Sequence, residues 1–203
     1  MSESIENKVI SRIYAKGRGW SFSRIDFSDL GSADSIDQAL SRLARSGRIR
    51  RVLRGLYDFP KYSTFLKQEL SPELDQVAMA LARKFGWTIQ VSENTALNLL
   101  GLSTQVPTRF VYHSDGRSTR YVIGNQTLEF VKSTLKDTGL KYDKSAQLVQ
   151  AVKGLGQGEL SDDERRLLRE QFSDQERKRI LKDTRYVTSW VYDEIKRILK
   201  VVQ

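Results

Sequence analysis

The chain has no cysteine and a single histidine in 203 residues. The first absence excludes disulfides, thiolate metal sites and cysteine nucleophiles, and it fits a reducing compartment. The second leaves His113 without a partner imidazole for a metal site or a His-based triad. No apolar run approaches the roughly 18 residues that span a bilayer. The opening M-S-E-S-I-E-N-K has no apolar core of the kind a signal peptide needs. A cytoplasmic protein with no membrane partner is the expectation. There are only three prolines, no internal repeat and no low-complexity segment.

What is present is enough apolar material for a core and a surplus of positive charge. Hydrophobic residues make up 39% and include eight Phe, eight Tyr and three Trp, so a folded chain is expected. The net charge of +9 favours a polyanionic partner.

That charge is concentrated. From Arg42 to Arg54 there are six arginines and no acid. The arginine fork matches phosphate and the guanine edge bidentately, which a solvating lysine run does not. Before the cluster, Ile36, Ala39, Leu40 and Leu43 recur at helical spacing, while Ser35, Gln38, Arg42 and Arg45 lie away from that apolar face. Gly47 stops the helix. Arg48 to Tyr57 then reads as a basic two-stranded hairpin with Gly55 near its turn. Helix and basic hairpin in succession outline a winged helix-turn-helix.

The flanking pattern completes it. Residues 4–15 predict a first helix capped by Ser4, and Ser23–Leu30 a short second one. The expected core is Ile5, Val9, Ile13, Phe22, Ile25, Phe27, Ile36, Leu40, Leu43, Ile49, Leu56 and Tyr57. Pro60 ends the hairpin, and residues 60–71 read as a connection. This gives a winged-helix domain over 1–62 and an α+β domain over 63–203. In the second, Ser71-Pro72 opens a helix and Thr88–Val91 is a strand. Ser92 caps a helix through Leu100. Arg109–Ser114, Ser118–Ile123 and Gln126–Lys132 predict an antiparallel meander. Ala146–Leu155 reads as a helix, and Ser161–Glu164 and Ser173–Glu176 match the capping box. A last helix is expected over 186–201.

The candidate DNA contacts are Ser32, Ser35, Gln38, Arg42 and Arg45 on the third helix, and Arg48, Arg50, Arg51 and Arg54 on the hairpin. Arg54 is the candidate for the minor groove. Alternation along a strand does not allow Arg50 and Arg51 both to face outward, and it does not choose between them. Asp34 and Asp37 suit the positive helix start but not DNA phosphate, so they cap or accept from cytosine. Gly17-Arg18-Gly19 lacks the lysine and hydroxyl spacing of a phosphate loop. It reads as a turn, with Arg18 a backbone contact. No catalytic residue, cofactor or metal is expected.

The segment A-L-S-R-L-A-R-S-G-R-I-R-R-V-L-R-G-L-Y-D-F-P resembles the N-terminal winged helix of AbiEi-type antitoxins. The resemblance rests on Gly47, Ile49, Arg51, Gly55, Tyr57 and Pro60, and on L-K-D-T-R-Y-V-T-S-W-V at residues 181–191. It implies an autoregulating antitoxin of a type IV toxin–antitoxin, phage-defence pair. Such a protein represses transcription by binding double-stranded DNA at promoter inverted repeats. It implies a cognate nucleotidyltransferase-like toxin that need not be held in a stable complex. No coiled-coil heptad is present, so a monomer or weak dimer is expected. The alternative is a metal-dependent defence nuclease placed on DNA by its winged helix, with Asp115, Glu93 and Glu129 as its acids. A third reading makes the winged helix a protein-interaction scaffold.

Overall fold

The computed structural model describes residues 4–103, 108–135 and 140–199. Two compact units divide the chain: Met1–Thr88 with Tyr121–Leu128, and Ile89–Arg120 with Glu129–Gln203. The architecture is α+β, with eight α-helices and small sheets among the described residues.

The first unit opens with α1 (Ile5–Lys16), which starts where the Asn7 amide donates to the Ser4 hydroxyl at 3.2 Å. Then come β1 (Ser21–Phe22), a 3₁₀ turn over Arg24–Phe27, and α2 (Ala33–Arg45). A hairpin of β2 (Arg50–Leu53) and β3 (Leu56–Asp58) follows. The three strands form an antiparallel sheet in the order β1-β3-β2. Leu53 faces Leu56 across the hairpin end, so Arg54 and Gly55 alone make the turn. Gly55 has φ +67°, which a side-chain-bearing residue adopts only with strain.

Ile36, Ala39, Leu40 and Leu43 of α2 are buried against Val9 and Ile13 of α1 and against Phe22 and Phe27. Each fully buried Ile, Leu or Phe is worth about 1.5–3 kcal/mol, so this cluster fixes how α2 presents its other face. Ile25 does not join the core; it is 49% exposed. The reason is local. The expected helix over Ser23–Leu30 is only the 3₁₀ turn Arg24–Phe27, which buries Phe27 and leaves Ile25 outward.

Residues 60–71 are not a plain linker. They hold a small antiparallel hairpin of β4 (Tyr62–Ser63) and β5 (Gln68–Glu69). The Leu70 amide donates to the Lys61 carbonyl, and the Leu70 carbonyl accepts from Arg50. Helix α3 (Leu74–Phe85) follows in the same unit and packs on β1 and the 3₁₀ turn. Residue 62, the expected domain boundary, therefore lies inside the first compact unit. Arg83 of α3 donates to the Asp26 carboxylate at 2.6 Å and to the Ser21 carbonyl at 2.9 Å.

The second unit holds β6 (Ile89–Val91), α4 (Glu93–Leu99), β7 (Arg109–Ser114) and parts of β8 (Thr119–Ile123) and β9 (Gln126–Lys132). The strand order is β6-β7-β9-β8, with β6 antiparallel to β7. The three longer runs are therefore strands, but not a meander. Asp115-Gly116 does not close a hairpin between β7 and β8, because β9 lies between them.

Helices α5 (Asp143–Leu155), α6 (Asp162–Glu170), α7 (Asp174–Asp183) and α8 (Ser189–Ile198) complete the unit. Both expected capping boxes form, Ser161 with Glu164 and Ser173 with Glu176. α5 buries Leu148, Val149 and Val152 toward the other helices. Gly154 lets it approach α4, because a Cβ there would lie 3.0 Å from Glu93 Cβ. The last helix begins at Ser189 rather than 186; its expected end at 201 lies outside the described residues.

Candidate nucleic-acid interface

With Ile36, Ala39, Leu40 and Leu43 pinned inward, 100° per residue fixes what α2 turns outward. Asp34, Gln38, Ser41 and Arg45 lie within about 40° of the direction opposite the core, and all four are exposed. Arg42 and Ser35 flank this line on one side, and Asp37 on the other.

The flanks are tied to neighbouring elements. Arg42 Nε donates to Glu6 of α1 at 2.8 Å, with the two side chains 55% and 31% exposed. On the other flank Arg24 of the 3₁₀ turn pairs with Asp37 at 3.1 Å. At the start of the helix, the Ser32 hydroxyl accepts from the Ser35 amide and donates to Ser35 Oγ. The Ser35 hydroxyl in turn donates to the Ser32 carbonyl at 2.8 Å. Ser32 thus caps the helix and the Ser35 hydroxyl is bonded back to it, leaving Gln38, Ser41 and Arg45 as the outward side-chain donors. The Arg45 guanidinium has no hydrogen-bond or ion-pair partner among the described residues.

The hairpin resolves the choice between its neighbouring arginines. Arg51 is exposed and lies across from Tyr57, its guanidinium 5.9 Å from the ring centroid. Arg50 turns the other way. Its Nε and Nη2 meet the two Asp58 oxygens at 3.0 and 2.5 Å, and its Nη1 donates to the Leu70 carbonyl at 2.9 Å. The Asp58 side chain is 2% exposed. Burial pushes its carboxyl above the usual value, and the facing Arg50 opposes that shift. All three guanidinium nitrogens of Arg50, a candidate DNA contact, are therefore engaged within the protein in this structure.

Arg54 sits at the hairpin turn with its guanidinium outside any hydrogen bond or ion pair among the described residues. Arg48 donates to the Tyr14 hydroxyl at 3.3 Å. Arg18 stacks over Phe59, 4.5 Å from the centroid, and donates to the Pro60 carbonyl. It helps hold the chain leaving β3, and its exposed face remains available.

Two cations near the turn lie outside the Arg42–Arg54 run. Lys84, on α3, donates to the Arg54 carbonyl at 2.8 Å, and Arg24 lines the same cleft as Arg54 and Lys84. Lys84 is 30 residues from Arg54 in sequence, in a stretch that reads as ordinary helix, so local patterning carries no signal for it.

The acids of the nuclease alternative do not assemble. Glu129 is held by Arg109 at 2.7 Å. Glu93 lines a polar pocket with Gln90, His113 and Gln150, and His113 sits on β7 across from Gln90. Among the described residues, no group of three or more His, Cys, Asp or Glu is placed to hold a metal ion. No helix among them is long and apolar enough to cross a membrane.

Fold and surface together define an α+β protein with a basic helix-and-hairpin face. The chain belongs to the DUF6088 family, a family of unknown function, whose family model matches residues 8–180. No curated protein matches the sequence.

Proposed function

We propose that this protein is a sequence-specific DNA-binding transcriptional repressor. In this reading, α1, the 3₁₀ turn, α2 and the β2–β3 hairpin act as a winged helix-turn-helix. α2 enters the major groove, and the short wing tracks the backbone. The observation that supports it most is the outward line of α2, with Gln38 and an uncommitted Arg45, beside an exposed Arg51 and Arg54 on the hairpin.

The chemistry divides the labour. Gln38 can make bidentate bonds to an adenine edge and Arg45 to guanine, which would carry sequence preference. Arg51, Arg54, Arg48 and Arg18 supply charge to phosphates, which sets register and affinity but not sequence. Arg42 joins them by exchanging its exposed bond to Glu6 for a phosphate, an exchange that costs little because exposed ion pairs are worth about 0–1 kcal/mol.

The likeness of the Gly47–Pro60 pattern to AbiEi-type antitoxins supports a narrower reading. The protein would repress its own promoter at inverted repeats and counter a nucleotidyltransferase-like toxin encoded alongside.

Titration against a labelled duplex from upstream of the reading frame, and against a scrambled duplex, tests the DNA-binding core. Measured at two salt concentrations, log K should fall steeply with log salt. Arg51→Ala and Arg54→Ala should weaken both duplexes alike, by about 1–3 kcal/mol. Gln38→Ala should reduce the ratio between them. Absence of duplex binding in low salt sinks the proposal. Co-expression with the neighbouring reading frame tests the antitoxin part alone: no relief of growth arrest removes it and leaves the repressor reading standing.

A further inference from the structure

The cleft at the hairpin turn has no assigned role. It has a volume of about 570 Å³ and is lined by Arg24, Asp37, Arg54, Gly55, Lys84 and Phe85, among others. Three cations face one carboxylate. Asp37 is half-exposed and already shared with Arg24, so the cleft carries a net positive charge.

The arrangement is built by α3. Lys84 Nζ donates to the Arg54 carbonyl at 2.8 Å, which spends one of its three N–H donors and anchors the turn. A Cβ at Gly55 would lie 3.2 Å from that Nζ, so glycine is what allows the ammonium so close to the backbone. The charges are uncomfortable together. Burial lowers the Lys84 pKa first, and Arg24 and Arg54 lower it further, while Asp37 pulls it back. An anion in the cleft would relieve this repulsion. Exposed Ile25 and Phe85 flank the cations, the latter stacked on Trp87 at 4.8 Å, giving apolar surface suited to a sugar edge.

We infer that Arg24, Arg54 and Lys84 form a phosphodiester-binding site that takes one backbone phosphate of the duplex read by α2. This rests on the DNA-binding proposal above. Asp37 belongs to α2, so the site borders the helix assigned to the groove. A phosphate there accepts from the two remaining Lys84 donors and from the Arg54 and Arg24 forks, all charge-assisted bonds. The wing is only two residues wide at its turn. Lys84 thus extends its positive edge from an element outside the helix-and-hairpin motif.

The test uses the full chain as wild type, Arg24→Gln, Lys84→Gln and Lys84→Arg, with the Tm of each confirming an intact fold. Duplex affinity is measured as a function of salt, and inorganic phosphate is titrated calorimetrically into each protein. The expected result is a loss of about threefold to tenfold in affinity for both the promoter and the scrambled duplex in the two Gln variants. Their log–log salt slope should become shallower by about one phosphate contact, roughly 0.9. Lys84→Arg should keep the wild-type slope, and inorganic phosphate should bind only weakly to every form.

Wild-type slopes in both Gln variants would overturn the site while leaving DNA binding intact. Tight inorganic phosphate binding that is lost in Lys84→Gln without a change in duplex slope would reassign the cleft to a free anion. A wild-type protein that binds no duplex would remove the parent reading, and this site with it.

Discussion

Replacing Arg50 by alanine separates a folding arginine from a binding one. The variant strips the Asp58 carboxylate, 2% exposed, of both its guanidinium bonds at 3.0 and 2.5 Å. It also leaves the Leu70 carbonyl without its donor. Breaking a buried ion pair by removing one partner costs about 3–5 kcal/mol. Arg50 itself is 28% exposed, so water reaches the gap and the lower end of that range, about 3 kcal/mol, is expected at pH 7. The pH dependence carries a sign. Asp58 already has its pKa raised by burial, with Arg50 holding it down. Without Arg50 it rises further, so the folded state takes up a proton more readily than the unfolded chain. Stability from this group is then fullest below the ordinary carboxylate range and lost as pH rises through the folded value. The Arg50→Ala penalty should therefore shrink on acidification, and Asp58→Asn should abolish most of that pH dependence. Denaturant-dependent hydrogen exchange at β3 and α2 amides reads it locally, which matters in a chain of two compact units. Unchanged exchange, combined with weaker duplex binding and a salt slope reduced by one contact, would refute the structural role and return Arg50 to the DNA surface.

Arg83→Ala should loosen α3 by about 1–3 kcal/mol, since it leaves the mostly buried Asp26 carboxylate and the Ser21 carbonyl short of a donor; α3 amides exchanging at the wild-type rate would contradict this. Glu176 is lowered to about 2 by Lys144 first, then by the Ser173 amide and hydroxyl. Its contribution is present above the ordinary glutamate pKa and is lost as pH falls through about 2, so Glu176→Gln should flatten the acid limb of α7 unfolding measured by hydrogen exchange. Gly154→Val should cost about 1–3 kcal/mol by overpacking, because a Cβ at position 154 would lie 3.0 Å from Glu93 Cβ and 3.6 Å from the Glu93 backbone carbon of α4; a wild-type melting temperature would mean that the two helices can separate freely.

Much of the first unit can be read from local pattern because its signals are local. Ser4, the apolar spacing of α2 and the glycine of a two-residue turn each act within a few positions. Ile25 misleads because four residues of 3₁₀ helix have a different angular period from the α-helix expected there. The hairpin at 62–69 has no long alternating run, and its anchor is Arg50, a residue whose charge points attention to DNA instead. In the second unit each strand is legible, but their order is not: pattern identifies a strand without saying which neighbour it bonds. Lys84 and Arg24 escape for the same reason as the strand order, since their meeting with Arg54 depends on tertiary packing.

The arginine cluster shows why charge density alone overstates a binding surface. A guanidinium can serve a ligand only if leaving its present partner costs less than the new bond returns. Arg45 and Arg54 have no such partner among the described residues. Arg51 rests on Tyr57, and Arg42 on Glu6; both guanidinium-bearing residues are themselves exposed, so release costs about 1 kcal/mol or less. Arg50 would have to abandon a buried carboxylate, a cost of several kcal/mol that one charge-assisted phosphate bond of about 1.5–3 kcal/mol does not recover. These five arginines thus fall along a scale of release cost. The same scale brings in Lys84, whose bond to the Arg54 carbonyl uses one donor and leaves the rest facing the cleft. Affinity for a polyanion should follow that scale, and not the order in which the charges appear along the chain.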